Sequence, residues 1–233
     1  VISYSTGPGN AIVGTVSGTS ISFGSAATFE SSSTVTYTAT TFDSNSNKIV
    51  VAYRDGNNSG YGTAAVGTVS GTSISFGTPV VFEEADIEHV GIAFDSSVNK
   101  VVIGYRDTGN SDYGTSIAGT VSGTSISFET AVVYEQARAT YNAGAFDSNS
   151  NKVVFVYTDG GNSSYGTGVV LTTSTIATTR AEVADGGNAS VDIIGSVSDN
   201  QIGLTAGQQY FVQTDGTIST TADDPSVLAG TAI

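Results

Sequence analysis

Two copies of one tripeptide hold the side chains best suited to gripping a ligand: Tyr53-Arg54-Asp55 and Tyr105-Arg106-Asp107. A further tyrosine follows each, Tyr61 and Tyr113. A guanidinium forks onto a carboxylate or a pair of hydroxyls, and a phenol offers an apolar face with a polar tip. Arg54, Asp55, Tyr61, Arg106, Asp107 and Tyr113 are therefore the candidate ligand-binding residues. The next copy reads Tyr157-Thr158-Asp159, without the arginine. A local Arg–Asp pair on the surface, of small energetic value, is the plainer expectation for the two earlier copies.

Other chemistry is thinner. Asp43-Ser-Asn-Ser-Asn47 and Asp147-Ser-Asn-Ser-Asn151 echo the opening of a calcium loop, but Asp95-Ser-Ser-Val-Asn99 breaks the spacing. The glycine and glutamate that complete such a loop do not follow. Asx residues are ordinary turn formers, so turns are expected here and no metal or other cofactor is assigned. His89 is the only histidine. It lies beside Glu84, Asp86 and Glu88 in a variable connection, where a solvated loop histidine is expected. There is no cysteine, hence no disulfide, thiolate nucleophile or thiolate-bound metal. No unit is chemically specialised in the way catalysis demands, and no catalytic residue is assigned.

A formal net charge of −14 over 233 residues argues against nucleic acid, whose phosphates require clustered Lys and Arg. It also argues against an anionic membrane surface. No apolar run reaches the ~20 residues of a membrane-spanning helix.

These residues recur because the chain repeats. GTVSGTSISF stands at 14–23, 67–76 and 119–128. Phe42, Phe94 and Phe146 are spaced by about 52 residues, as are Tyr53, Tyr105 and Tyr157. Each unit reads as four strands. The first ends in the phenylalanine and carries small residues such as Gly91, Ala93, Ala143 and Ala145. The second, Ile49–Tyr53 and its copies, is apolar throughout, as suits a strand covered on both faces. The third is Thr63–Val69. The fourth alternates Ser73, Ile74, Ser75 and Phe76, the pattern of a half-exposed strand. Four short strands in about 50 residues is the arithmetic of a β-propeller blade; an elongated stack of β-meanders is the rival. The expected fold is therefore all-β, with tandem four-stranded antiparallel propeller-blade-like repeats over 1–175: partial 1–30, full 31–84, full 85–136 and partial 137–175. Two complete units fall short of a closed ring, so further units are expected upstream.

In such a meander the first-to-second and third-to-fourth turns share one end, and the other connections share the opposite end. Differences between copies collect at the second end, in SAATFESSSTVTYT, TPVVFEEADIEHVG and TAVVYEQARATYNA and in the RDGNNSGYG-type loops. Ligand contact is expected there. If TPVVFE forms a strand of its own, that parity reverses. Residues 176–233 leave the repeat and form a small C-terminal β module. It includes Asp192-Ile-Ile-Gly195, a strand around Tyr210–Gln213, an Asp215-Gly216 hairpin signal and a second strand over Thr217–Thr220.

The units, AYRDxGNSxYGTxxxGTVSGTSISF, resemble repeats of virion structural proteins from marine bacteriophages, cyanophages among them. The ending GLTAGQQYFVQTDGTISTTADDPSVLAGTAI is similar to the terminal module of phage tail-fibre and appendage proteins. The resemblance implies a non-enzymatic virion or extracellular protein: a fibre or surface appendage that contacts a host receptor or glycan. It further implies sister chains, often as a homotrimer, and other virion proteins as partners. A bacterial extracellular repeat adhesin or carbohydrate-binding propeller is the alternative. The tryptophan and convergent arginines of sialidase-type repeats are missing, which counts against glycan cleavage by that route.

Overall fold

The computed structural model describes residues 1–31 and 33–171, and beyond them three strands at 209–212, 218–219 and 227–231. Contacts divide the chain into a body from Val1 to Ser174 and a second from Thr175 to Ile233. Both are antiparallel β-structures. The only helices among the described residues are single 3-10 turns, Gly56–Asn58 and Thr108–Asn110, and none is long and apolar enough to cross a membrane.

The first unit supplies β1 (Ile2–Ser5), β2 (Gly9–Ile12), β3 (Gly14–Ser17), β4 (Ser20–Phe23) and β5 (Ala27–Glu30). β6 (Val35–Asp43), β7 (Lys48–Asp55), β8 (Tyr61–Ser70) and β9 (Ser73–Phe76) follow, and then the long β10 (Val80–Asp95). The pattern recurs as β11 (Lys100–Asp107), β12 (Tyr113–Ser122), β13 (Ser125–Phe128), β14 (Val132–Asp147), β15 (Lys152–Asp159) and β16 (Tyr165–Leu171).

Each full repeat holds four strands, as in β7–β10 and β11–β14, and the last of them runs from the connection into the first strand of the next unit, which explains how the repeats join. Residues 67–70 of β8 pair with β9, while residues 61–64 pair with the start of β10. β9 and the start of β10 thus lie end to end along β8, separated by Gly77-Thr78-Pro79. Because they run in the same direction, the parity of the connections does not reverse: Asp86 arrives opposite Tyr61. From Ile87 onward β10 changes partner and pairs with β11 of the next unit, and β14 does the same between β12 and β15. The expected boundaries at 84/85 and 136/137 therefore fall inside continuous strands. The ladder runs β16-β15-β14-β12-β11-β10-β8-β7-β6, with β9 and β13 at its side. Among the described residues it closes into neither a barrel nor a propeller ring.

The core lies between consecutive units. Alternate residues of β7 serve opposite interfaces: Ile49, Val51 and Tyr53 pack toward the first unit with Phe29, while Val50 and Ala52 pack toward Ile103 and Tyr105 of the third. Burial of each such side chain contributes about 1.5–3 kcal/mol. That is why this strand reads as continuously apolar. In β15 only one face is covered, and Val156 is 52% exposed. Units approach closely where glycine permits it. A Cβ on Gly24 or Gly77 would overlap the carbonyl oxygen of Thr72 or Thr124 in the following unit, and one on Gly91 would sit 2.8 Å from the Asn142 oxygen.

In the second body β17 (Gln209–Val212) pairs with β18 (Ile218–Ser219) and with β19 (Val227–Thr231). The strands flank the expected hairpin; Asp215-Gly216 and Asp192–Gly195 lie outside the described residues.

Candidate functional site

Most of the polar side chains that recur between units are committed to structure. Asp43 accepts from the amides of Asn45 and Ser46 at 2.9 and 3.0 Å and from the Ser46 hydroxyl at 2.6 Å. Asp95 and Asp147 hold their turns in the same way. Asn47, Asn99 and Asn151 follow in the left-handed region, at φ 54°, 54° and 52°, which asparagine tolerates better than most residues. The calcium-like spacing is thus an Asx turn.

Asp55 and Asp107 cap the single 3-10 turns. Asp55 accepts from the Asn57 and Asn58 amides, and Asp107 from that of Asn110. Burial also raises the Asp107 carboxyl above the usual range, against the lowering effect of the turn amides. These two candidate residues are turn formers. Tyr61 and Tyr113 stand opposite them in the ladder, half-buried.

A second recurrent feature escaped the sequence reading. Tyr53, Tyr105 and Tyr157 donate their hydroxyls to Glu30, Glu83 and Glu135, which lie in β5 and in the first part of β10 and β14, at 3.2, 2.8 and 2.8 Å. The neighbouring aromatic residue, Phe29, Phe82 or Tyr134, packs on the same tyrosine ring with centroids 5.1, 5.3 and 5.3 Å apart. Burial raises all three tyrosine pKa values, and their glutamates add to the effect. The visible signal was an aromatic-Glu pair at 29–30, 82–83 and 134–135, inside connections that otherwise differ.

What is chemically varied gathers where β10 and β14 change partner. Tyr37, His89 and Tyr141 occupy equivalent positions on β6, β10 and β14, the corresponding strands of successive units, and form a column with ring centroids 5.0 and 4.8 Å apart. All three sit at a register shift with positive φ, 52°, 51° and 56°. A non-glycine residue there carries a backbone cost of about 1–2 kcal/mol. His89 is neither in a loop nor solvated: it belongs to β10 and its side chain is 14% exposed. Burial lowers its pKa, Arg106 and Arg138 lower it further, and Glu88 opposes them. Tyr141 at the end of the column is 75% exposed.

Every arginine among the described residues lies around this column. Arg54 pairs at 2.6 Å with Asp86 of β10, not with the adjacent Asp55. Arg106 is buried; its Nη2 is 2.6 Å from Glu88, and its Nε is 3.2 Å from Asp112 but too poorly aligned for a hydrogen bond. Its Nη1 has no acceptor among the described residues. The two arginines hold their acids by different routes. In the second unit the Asp86 carboxylate lies over Gly60, filling the space a Cβ would take. One repeat later Gly60 is replaced by Asp112, and Asp86 by Arg138. The acid has moved from strand to loop, and Arg138 is left exposed. Arg54 and Arg106 thus hold Asp86, Glu88 and Asp112 beside a column whose Tyr141 is open to solvent, with Arg138 exposed nearby. Such a surface can hold a polar ligand by ring stacking and fork-like donors.

At the opposite end, Thr40–Phe42, Ile92–Phe94 and Gly144–Phe146 line an open groove of about 480 Å³ without a charged side chain. No protein-family model, curated protein or solved structure matches the chain. The fold and the site define a class, an antiparallel all-β tandem-repeat protein, and nothing narrower.

Proposed function

We propose that the chain is a non-enzymatic structural repeat protein of a virion, a fibre or surface appendage with blade-like units. It would meet a host receptor or glycan at the Tyr37–His89–Tyr141 end. One observation supports this reading above the others. Most side chains kept from copy to copy are spent on turns and on joining units, whereas side chains that differ between copies meet at that single end. Repeat scaffolds place recognition where copies diverge. The phage-like sequence of the units and of the ending supplies the virion context, in which sister chains and other virion proteins are the partners.

The test is binding of the purified chain to host cells and to an array of host surface oligosaccharides. Substitution of Arg54→Ala or of the exposed Tyr141→Ala should weaken binding at least tenfold, while Ser44→Ala in the opposite turns should not. Loss confined to the Ser44 variant would place recognition at the wrong end, and turnover of the oligosaccharide would make the protein an enzyme. Recovery of the chain in purified virions separates an appendage from a bacterial adhesin.

A further inference from the structure

His89 is the single histidine of the chain, and it stands where β6 and β14 carry tyrosine. Its imidazole lies between the rings of Tyr37 and Tyr141, with the ring planes tilted by 49° and 56°. The backbone at this point is pinned across units. Asn142 of β14 donates its Nδ2 to the His89 carbonyl oxygen at 2.8 Å, and its own Oδ1 accepts from the Tyr134 hydroxyl at 2.8 Å. A change of charge on the ring therefore acts on the side chain first, with the strand held.

The charges around the imidazole are unevenly divided. Glu88, its neighbour on β10, places Oε2 3.8 Å from the His89 Nε2, too far for a hydrogen bond. That same oxygen is already taken, 2.6 Å from Nη2 of Arg106 on β11, and Glu88 bears on Tyr37 of β6 as well. Arg106 and, from β14, Arg138 both act against a positive charge on His89. The remaining charges close by are spoken for: Arg54 of β7 pairs with Asp86 at 2.6 Å, and Asp112 stands 3.2 Å from the Arg106 Nε. An imidazolium here makes one carboxylate serve two cations, at a side chain only 14% exposed. Burial of that kind disfavours the charged form. Tyrosine faces attract a cation, but burial and two guanidiniums stand against them. We infer that the column is an acid-sensitive latch: neutral His89 locks three units together through Tyr37 and Tyr141, and protonation drives its ring from that seat and loosens the end where β10 and β14 change partner. The latch belongs to the fold and does not depend on what that end binds. A histidine that takes up a proton less readily folded than unfolded contributes stability above about pH 6.5, and this is lost as the pH falls through its folded value.

The test uses the whole chain. With one histidine present, the imidazole signals in an NMR titration belong to His89 alone. Their midpoint should lie below the ~6.5 of a free histidine, and the contacts from His89 to both tyrosine rings should vanish on the acid side of it. His89→Tyr is the matched control, because tyrosine already occupies the same left-handed bulge in β6 and β14. Between about pH 8 and about pH 5, where histidine changes charge, the urea midpoint of the parent should fall relative to that of His89→Tyr. Carboxylates titrate in both chains and cancel in the comparison. The NMR titration of the parent decides the matter even if the variant does not fold. A midpoint at or above that of a free histidine would overturn the latch. So would tyrosine contacts that persist through the titration, or an equal response of the parent and His89→Tyr to acid.

Discussion

A single hydroxyl shows how the repeats are held. Tyr105 is fully buried, and its donation to Glu83 ties β11 to the preceding unit. Burial raises the Glu83 carboxyl above the usual range, and the bond from Tyr105 works against that rise. Tyr105→Phe removes the donor, keeps the ring and leaves the acceptor short of a partner. A loss of about 1–3 kcal/mol is expected. Tyr4 is the internal control. It occupies the same register as Tyr53, opposite β2 instead of β8, and has no carboxylate partner among the described residues. Tyr4→Phe should change stability by less than about 0.5 kcal/mol. Urea unfolding of the two variants and the parent measures the difference; equal effects would mean that the hydroxyl–carboxylate bond contributes nothing to the join.

At the scale of elements, spacing is set by glycine at two kinds of position. Gly71 and Gly123 have φ 60° and 61° with no atom close to a would-be Cβ. Gly71→Ala therefore meets only the left-handed backbone cost of about 1–2 kcal/mol. Gly77 lies against backbone, the carbonyl of Thr124, which cannot rotate away. Gly77→Ala must push β9 from the next unit's turn and should cost more, about 3 kcal/mol or beyond by the usual scale of overpacking. Denaturation midpoints of the two single variants decide the order, and a reversed order would refute the close approach. The strands themselves were legible because β7 and β11 are apolar at nearly every position and β9 alternates. The extended first part of β10 and β14 was hidden because its unit-to-unit differences look like loop drift, although Phe82-Glu83 and Tyr134-Glu135 recur within it. The aromatic column was hidden for a different reason. Tyr and His at a left-handed bulge contradict local preference, and their contacts join residues about 52 positions apart.

For the whole molecule, cover on both faces sets local stability. The second and third units are sandwiched, and β7 and β11 are buried almost throughout. The β3–β4 hairpin forms a separate two-stranded sheet, with Val16 73% and Ile21 50% exposed. In β16 Val170 is 60% exposed. Stacked repeats gain much of their stability from neighbours, so they open from the poorly covered ends inward. Amide exchange should be slowest in β7 and β11, intermediate in β15, and fastest in β3, β4 and β16. Uniform protection along the array would show that it unfolds as one cooperative block in which end cover does not matter.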